Sequence, residues 1–315
     1  MARLLITQHL VEGSLDGLRG TTHEVEYRDE PTPIPRPELL ERIARVDAVV
    51  CLLSDVIDQE VLAHAPSLKV VANVAVGYDN IDLAAAHLRG VAVVNTPGVL
   101  DASTADVAMA LMLSARRRTS DAEATLRSGR WAGWAIDKDL GLDLTGACLG
   151  LVGYGRIARR VATRAAGFDM SVLHHTRHAT GAAGWVRSLE QLAERSDIVS
   201  IHVPLTRETH HLISREILGL MAPTSVVVNT SRGPVIDEEA LADALESGRL
   251  WGAGLDVFDG EPHINPRLLT APHTVLLPHI GSATVSTRRA MCDLALRGAI
   301  AVLNGEVPAN LVRDR

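Results

Sequence analysis

GLVGYGRIA, residues 150–158, decides how the fold is read. It closes an apolar run that begins at Ala147 and opens a helical pattern, IARRVATRAA (157–166), so Gly153-x-Gly155-x-x-Ala158 falls where a strand turns into a helix. Glycines at such a turn let the backbone approach a pyrophosphate, and the helix N-terminus offers free N–H groups and positive potential. The same spacing can make a plain strand-to-helix turn. Its place between a strand and a helix favours dinucleotide binding.

On both sides of this turn, short β-rich runs alternate with helical patterns. ACLGLVG (147–153), MSVLHH (170–175), DIVSIHV (197–203), SVVVNT (225–230), WGAGLDVF (251–258) and TVLLPH (274–279) make six expected strands with crossover helices between them. That alternation is what a doubly wound parallel sheet requires. Upstream, RLLIT (3–7), HEVEYR (23–28), AVVCLL (48–53), LKVVANVAV (68–76) and VAVVNT (91–96) form a smaller α/β set, with RPELLERIARV (36–46) as one of its helices. Four prolines in PTPIPRP (31–37) make a loop. TADVAMALMLSARRR (104–118) predicts a long helix with Ser103 or Thr104 as cap, Asp106 in its first turn and arginines at its negative end. A last helix, within STRRAMCDLALRGAIAVLNGE (286–306), can return to the first set. Residues 130–146 are irregular, and Trp131 and Trp134 there suit a subunit contact, a substrate contact or plain surface packing.

Composition agrees with an α/β chain of two domains. There are 315 residues, 47% apolar but only 3% aromatic, so the cores must be built from Val, Leu, Ile and Ala. The 31 Lys and Arg against 38 Asp and Glu give a formal charge of -7 without a basic stripe, which argues against nucleic acid as a partner. Cys51, Cys148 and Cys292 lie far apart in apolar settings, as reduced thiols do, and lack the spacing of a zinc site or a disulfide framework. No run approaches the ~20 apolar residues of a membrane span, and the apolar start is short for a signal peptide. A soluble, cytoplasmic protein without a metal centre is expected.

Which dinucleotide binds is set at the end of the next strand, where NAD enzymes place an acidic residue on the ribose 2'-hydroxyl. Here the residues are Leu173-His174-His175-Thr176-Arg177. No carboxylate would repel a 2'-phosphate, Thr176 can donate to it and Arg177 can pair with it. NADP(H) is therefore expected in preference to NAD(H), which remains possible; an ordinary surface arginine is the alternative for Arg177.

Three later strands lead to Arg232, Glu261 and His279. Ligands of open α/β sheets sit beyond the carboxyl ends of strands, so these residues are expected to converge. Singly each has an ordinary explanation as a surface charge, a turn or a loop residue. Together they suit hydride transfer to a 2-oxo acid: Arg232 as a fork for the carboxylate or carbonyl, His279 as the acid, Glu261 to orient the ring and favour its charged form.

NTSRGPVIDEEAL around Arg232, LDVFDGEP with Glu261 and LPHIGSAT with His279 resemble the D-isomer-specific 2-hydroxyacid dehydrogenases, over essentially the whole chain. VCLLSD (50–55), VAVGYDNID (74–82) and NTPGVLDASTAD (95–106) resemble the glyoxylate and hydroxypyruvate reductase branch. The resemblance implies two Rossmann-like or flavodoxin-like domains: a discontinuous substrate-binding domain, 1–98 with 285–315, and a nucleotide domain, 99–284, with the active site in the interdomain cleft. It assigns catalysis to Arg232, Glu261 and His279. Cofactor contacts fall to Gly153, Gly155, Arg156, Ile157, Thr176, Arg177, Pro204, Thr230, Asp256 and Gly281, with Asp256 near the nicotinamide. Substrate contacts fall to Leu53, Ser54, the N–H groups of Val76 and Gly77, Arg232 and His279.

Two departures stand out. Ala158 replaces a third glycine found in many relatives, and residues 135–143 match poorly a tryptophan-containing segment of the relatives. A homodimer is implied by the family alone. The expected activity is NADPH-dependent reduction of glyoxylate and hydroxypyruvate. A 2-ketogluconate reductase or another D-2-hydroxyacid dehydrogenase is the nearest alternative, and a nucleotide-sensing binding module or corepressor is the alternative of another class.

Overall fold

The computed structural model describes residues 1–313. They form two compact units, one of Met1–Leu100 with the chain from Ala283 onward, the other of Asp101–Ser282.

The first unit is built on five parallel strands: β1 Arg3–Ile6, β2 Glu24–Tyr27, β3 Ala48–Cys51, β4 Val70–Asn73 and β5 Ala92–Val94. Their order is β2-β1-β3-β4-β5, so the direction of winding reverses beside β1, and the loops after β1 and β3 flank that switch point. Both faces of the sheet are covered, which explains why its strands read as unbroken apolar runs. On one face Leu5, Val49, Val71 and Val93 pack with Leu39, Ile43, Val61, Leu62 and Ala86 from the crossover helices. On the other, Leu4, Ile6, Val50, Val70, Ala72 and Val94 meet Cys292, Ala295, Leu296 and Ala299 of the helix Val285–Leu303. Each fully buried Leu, Ile or Val contributes roughly 1.5–3 kcal/mol. That last helix therefore completes the core of the unit in which the chain begins.

The second unit carries seven parallel strands: β6 Cys148–Val152, β7 Ser171–His175, β8 Trp185–Val186, β9 Ile198–Ile201, β10 Val226–Asn229, β11 Gly252–Leu255 and β12 Thr274–Leu276. The order is β12-β11-β10-β9-β6-β7-β8, with the switch point between β6 and β9. The sequence pattern predicts six of these. β8 is an edge strand of two residues, pairing only at His174↔Trp185 and His175↔Val186, too short to show a period of its own.

The long helix starts earlier than its polar residues suggest. It runs Asp101–Arg117, so Ser103 and Thr104 lie inside its first turn and are buried rather than capping it. Asp106 sits beyond that turn and pairs with Arg164 at 2.6 Å. Thr104 is needed as packing: its side chain lies 3.4 Å from where a Cβ on Gly281 would stand. The three cysteines are free thiols, Cys51 and Cys292 buried. Among the described residues no helix is long and apolar enough to cross a membrane.

Candidate active site

The glycine turn after β6 sits at the switch point of the second sheet. Gly153 has φ 88°, and a Cβ there would lie 2.7 Å from the His202 carbonyl oxygen at the end of β9. A side chain is excluded on both counts. Gly153 N–H donates to His175 O at 2.9 Å, tying the turn to the end of β7. Gly155 is the N-cap of the helix Arg156–Ala165 and no side chain caps it, so the N–H groups of the first turn are left for a ligand. Ala158 is fully buried against the sheet, so a methyl is accommodated where a third glycine was not needed. The Thr230 hydroxyl after β10 is buried without a protein partner, and Pro204 is exposed on the loop after β9. A tight turn, an uncapped helix and an orphaned hydroxyl together fit a dinucleotide.

At the end of β7, Arg177 is exposed and the Thr176 hydroxyl donates to His178 O at 2.7 Å. Glu208 is held below the usual carboxylate range, first by its bond with Thr206 and in smaller part by the charges of Arg177 and Arg207. The neighbourhood thus carries two arginines against one carboxylate. Beneath the turn, the rings of Tyr154 and His174 stack at 3.8 Å, and His174 Nε2 meets Thr180 Oγ1 at 2.8 Å. Burial lowers the pKa of His174, so its ring packs as a neutral group. Sequence reading missed this support, because nothing in a lone aromatic signals a stacking partner on the next strand.

Arg232, Glu261 and His279 are positioned by the backbones that follow β10, β11 and β12. The Asn229 side chain pins the turn after β10, accepting from Ser231 N–H at 3.0 Å and donating to Arg232 O at 2.8 Å. Gly233 lies so close to the next loop that a Cβ would overlap the Phe258 carbonyl carbon at 1.9 Å. This contact brings the Arg232 turn against the Phe258–Glu261 segment. Arg232 Nη1 donates to Ser231 O at 2.8 Å.

Glu261 accepts from Phe258 N–H through Oε1 and meets His279 Nδ1 through Oε2, both at 2.8 Å. Burial pushes the Glu261 carboxyl up, but the His279 bond and charge, the Phe258 N–H and the Arg232 charge outweigh it and hold it below its ordinary value. Glu261 is therefore an ionised acceptor, Nδ1 carries the hydrogen, and Nε2 is the nitrogen left for proton transfer. The pair is about one-third exposed, 31% for His279 and 33% for Glu261.

His279 also occupies the left-handed region, φ 53°, uncommon for a residue with a Cβ. Asp256 explains how it stays there. Its carboxylate, 1% exposed, accepts from Ile280 N–H and Gly281 N–H at 2.7 Å each. Burial raises the Asp256 pKa, with those two bonds working against the shift. Each oxygen of Asp256 thereby anchors the loop that follows His279. Gly281 itself is buried beneath this grip.

In the first unit, Leu53 and Ser54 lie in the loop after β3, and Val76 and Gly77 in the loop after β4, all at the carboxyl edge of their sheet. Ser54 is exposed and donates to Gln8 at 3.4 Å, while Leu53, Val76 and Gly77 are half-buried.

A switch-point glycine turn, a hydrogen-bonded Glu–His pair and an arginine, all following strands of one parallel sheet, define a dinucleotide-dependent oxidoreductase of the Rossmann type. Residues 109–281 match the family described as D-isomer specific 2-hydroxyacid dehydrogenase, NAD binding domain. A glyoxylate reductase of Thermococcus litoralis is 44% identical, covering 98% of this chain and 96% of its own. A crystal structure of a Thermus thermophilus protein superposes with a TM-score of 0.93 at 44% identity, over 99% of this chain and all of that one. An NADPH-dependent glyoxylate/hydroxypyruvate reductase of Sinorhizobium meliloti, solved with NADP and malonate, gives 0.87 at 32% identity, covering 100% and 99%. The chain belongs to the D-isomer-specific 2-hydroxyacid dehydrogenase family.

Proposed function

We propose that the protein is an NADPH-preferring reductase of small 2-oxo acids, turning glyoxylate into glycolate and hydroxypyruvate into D-glycerate. The observation that carries this reading is the Glu261–His279 bond of 2.8 Å, which presents a single ring nitrogen for proton transfer beside an arginine. The names of the similar proteins, glyoxylate reductase and glyoxylate/hydroxypyruvate reductase, support the substrate class.

Bound nicotinamide supplies the hydride. Arg232 binds the substrate carboxylate and draws electron density from the carbonyl oxygen. As the carbonyl carbon receives the hydride, His279 Nε2 gives its proton to the forming alkoxide, and Glu261 stabilises the imidazolium beforehand and holds the ring. N–H groups of Val76 and Gly77 bind the carboxylate as well, and Leu53 and Ser54 shape the pocket. Gly153, Gly155, Arg156 and Ile157 hold the pyrophosphate, with Pro204, Thr230 and Gly281 as further cofactor contacts.

Initial rates with glyoxylate, hydroxypyruvate, pyruvate and 2-ketogluconate, each with NADPH and NADH, test the reading. Fast NADPH-preferring turnover of the first two is expected, and a more than tenfold preference for the sugar acid would overturn the substrate assignment. Cofactor choice is assigned to Thr176, which can donate to a 2'-phosphate, and to Arg177, which can pair with it. Combining Thr176→Asp with Arg177→Ala is expected to move preference towards NADH, because a carboxylate there repels a 2'-phosphate and accepts from a 2'-hydroxyl. An unchanged NADPH-to-NADH ratio of kcat/KM would reject it.

A homodimer completes the proposal. Trp134 and Ile136 are 81% and 79% exposed, and the preceding helix Thr119–Arg127 buries none of its residues. Trp131 and Leu140 are exposed as well, so four large apolar side chains within ten residues are left for a partner subunit to cover. Sedimentation should show a dimer that Trp134→Asp with Ile136→Asp dissociates; a wild-type monomer would refute it.

A further inference from the structure

The loops after β3 and β4 in the first unit are joined by side-chain amides as well as by a parallel backbone bridge between Ile57 and Ile81. Asn80 Nδ2 donates to Asp55 O at 2.9 Å and to Leu52 O at 3.1 Å, reaching from one loop into the other. Its Oδ1 accepts from Asn73 Nδ2 at 3.0 Å, and the same Asn73 amide donates to Gly77 O at 2.8 Å. Asn95, at the end of β5, donates to Val76 O at 2.8 Å. Asn73 is fully buried and Asn95 nearly so, and buried amides left without partners are costly, which makes the arrangement rigid. Backbone bonds add to it: Ile57 N–H donates to Asn80 O and Asp82 N–H to Ile57 O, both at 2.9 Å.

The direction of these bonds matters more than their number. Within each planar peptide the N–H points opposite to the carbonyl. Ala75 O accepts from Thr96 N–H at 2.8 Å and Val76 O from Asn95, which turns the N–H groups of Val76 and Gly77 the other way, while Gly77 O on Asn73 fixes the next peptide. Among the described residues neither Val76 N–H nor Gly77 N–H donates to a protein acceptor. Two successive N–H groups on the other side of a turn make a concavity for an anion.

We infer that Asn80, with Asn73 and Asn95, is a positioning residue: it locks the two loops together and aims the Val76 and Gly77 N–H groups at the substrate carboxylate. This rests on the carboxylate role proposed above for those N–H groups. Both polar atoms of the Asn80 side chain are engaged by protein partners, so its removal acts on substrate affinity through the loop and spares the hydride and proton steps.

The full-length protein with NADPH tests it through two readouts. In steady state, Asn80→Ala should raise KM for glyoxylate at least tenfold, leave KM for NADPH within twofold and change kcat by less than threefold. In hydrogen exchange, oxamate, an unreactive carboxylate analogue, should protect the 74–80 segment of the wild type, and the variant should need at least ten times more of it. Asp82→Ala controls for lost stability, since it removes only the cap that accepts from Ala85 N–H at 2.9 Å; its KM should stay at the wild-type value. If Asn80→Ala does not fold, Asn80→Ser is measured in the same way. Wild-type KM in the variant while oxamate still protects the wild-type loop would overturn the positioning role alone. Absence of protection in the wild type would remove the carboxylate role of the loop, and the inference with it.

Discussion

Replacing His279 by asparagine is expected to lower kcat for glyoxylate reduction by about 10²- to 10⁴-fold, the contribution of a positioned general acid, while NADPH binds as before. Asparagine is the informative choice because it tolerates the left-handed backbone, φ 53°, that His279 adopts. Its amide can still meet Glu261, so the loop and the Asp256 grip on Ile280 and Gly281 are kept and only the titrating nitrogen is lost. Stopped-flow rates of NADPH oxidation decide the matter, and a loss below about tenfold would mean that the proton comes from another group.

How much of this could be read beforehand depended on what kind of group did the work. The two sheets were legible because strands buried on both faces leave runs such as Val70–Ala72 and Val226–Val228 without polar interruption. β8 was not, because two residues at a sheet edge bury too little to leave a pattern. The start of the long helix was misjudged for a related reason. Ser103 and Thr104 have the chemistry of caps, but packing beneath Gly281 uses Thr104 inside the first turn, and tertiary contact overrode the local preference. The Arg232, Glu261 and His279 set was visible as three polar residues following strand ends. Their mutual geometry was not, because it depends on Gly233 lying against Phe258 and on Asp256 holding two N–H groups, neither of which has a sequence period. The asparagine network was least visible of all. Its partners are backbone carbonyls, which every residue has, so Asn73, Asn80 and Asn95 read as ordinary loop residues until their acceptors are located.

Arg232→Ala should have the other large effect, and of a different kind. A guanidinium offers a planar fork to a carboxylate or carbonyl oxygen, and each hydrogen bond to a charged group contributes about 1.5–3 kcal/mol. Losing two of them costs about 3–6 kcal/mol, so kcat/KM should fall by roughly 10²- to 10⁴-fold, at about 1.4 kcal/mol for each factor of ten. Unlike the His279 variant, this one should raise KM as well as lower kcat, because the fork acts on bound substrate and on the developing alkoxide alike. A second consequence follows from charge. Arg232 is one of the groups that hold the Glu261 carboxyl below its ordinary value, so without it burial is less strongly opposed and the Glu261 pKa rises. The acid limb of the pH profile should then shift to higher pH. Arg232→Lys separates the two roles: it restores the charge near Glu261, and with it the position of the acid limb, but a single ammonium cannot reproduce the fork, so most of the loss in kcat/KM should remain. If lysine restores activity in full, the arginine acts as a charge only; if alanine leaves kcat/KM near the wild-type value, Arg232 does not bind the substrate.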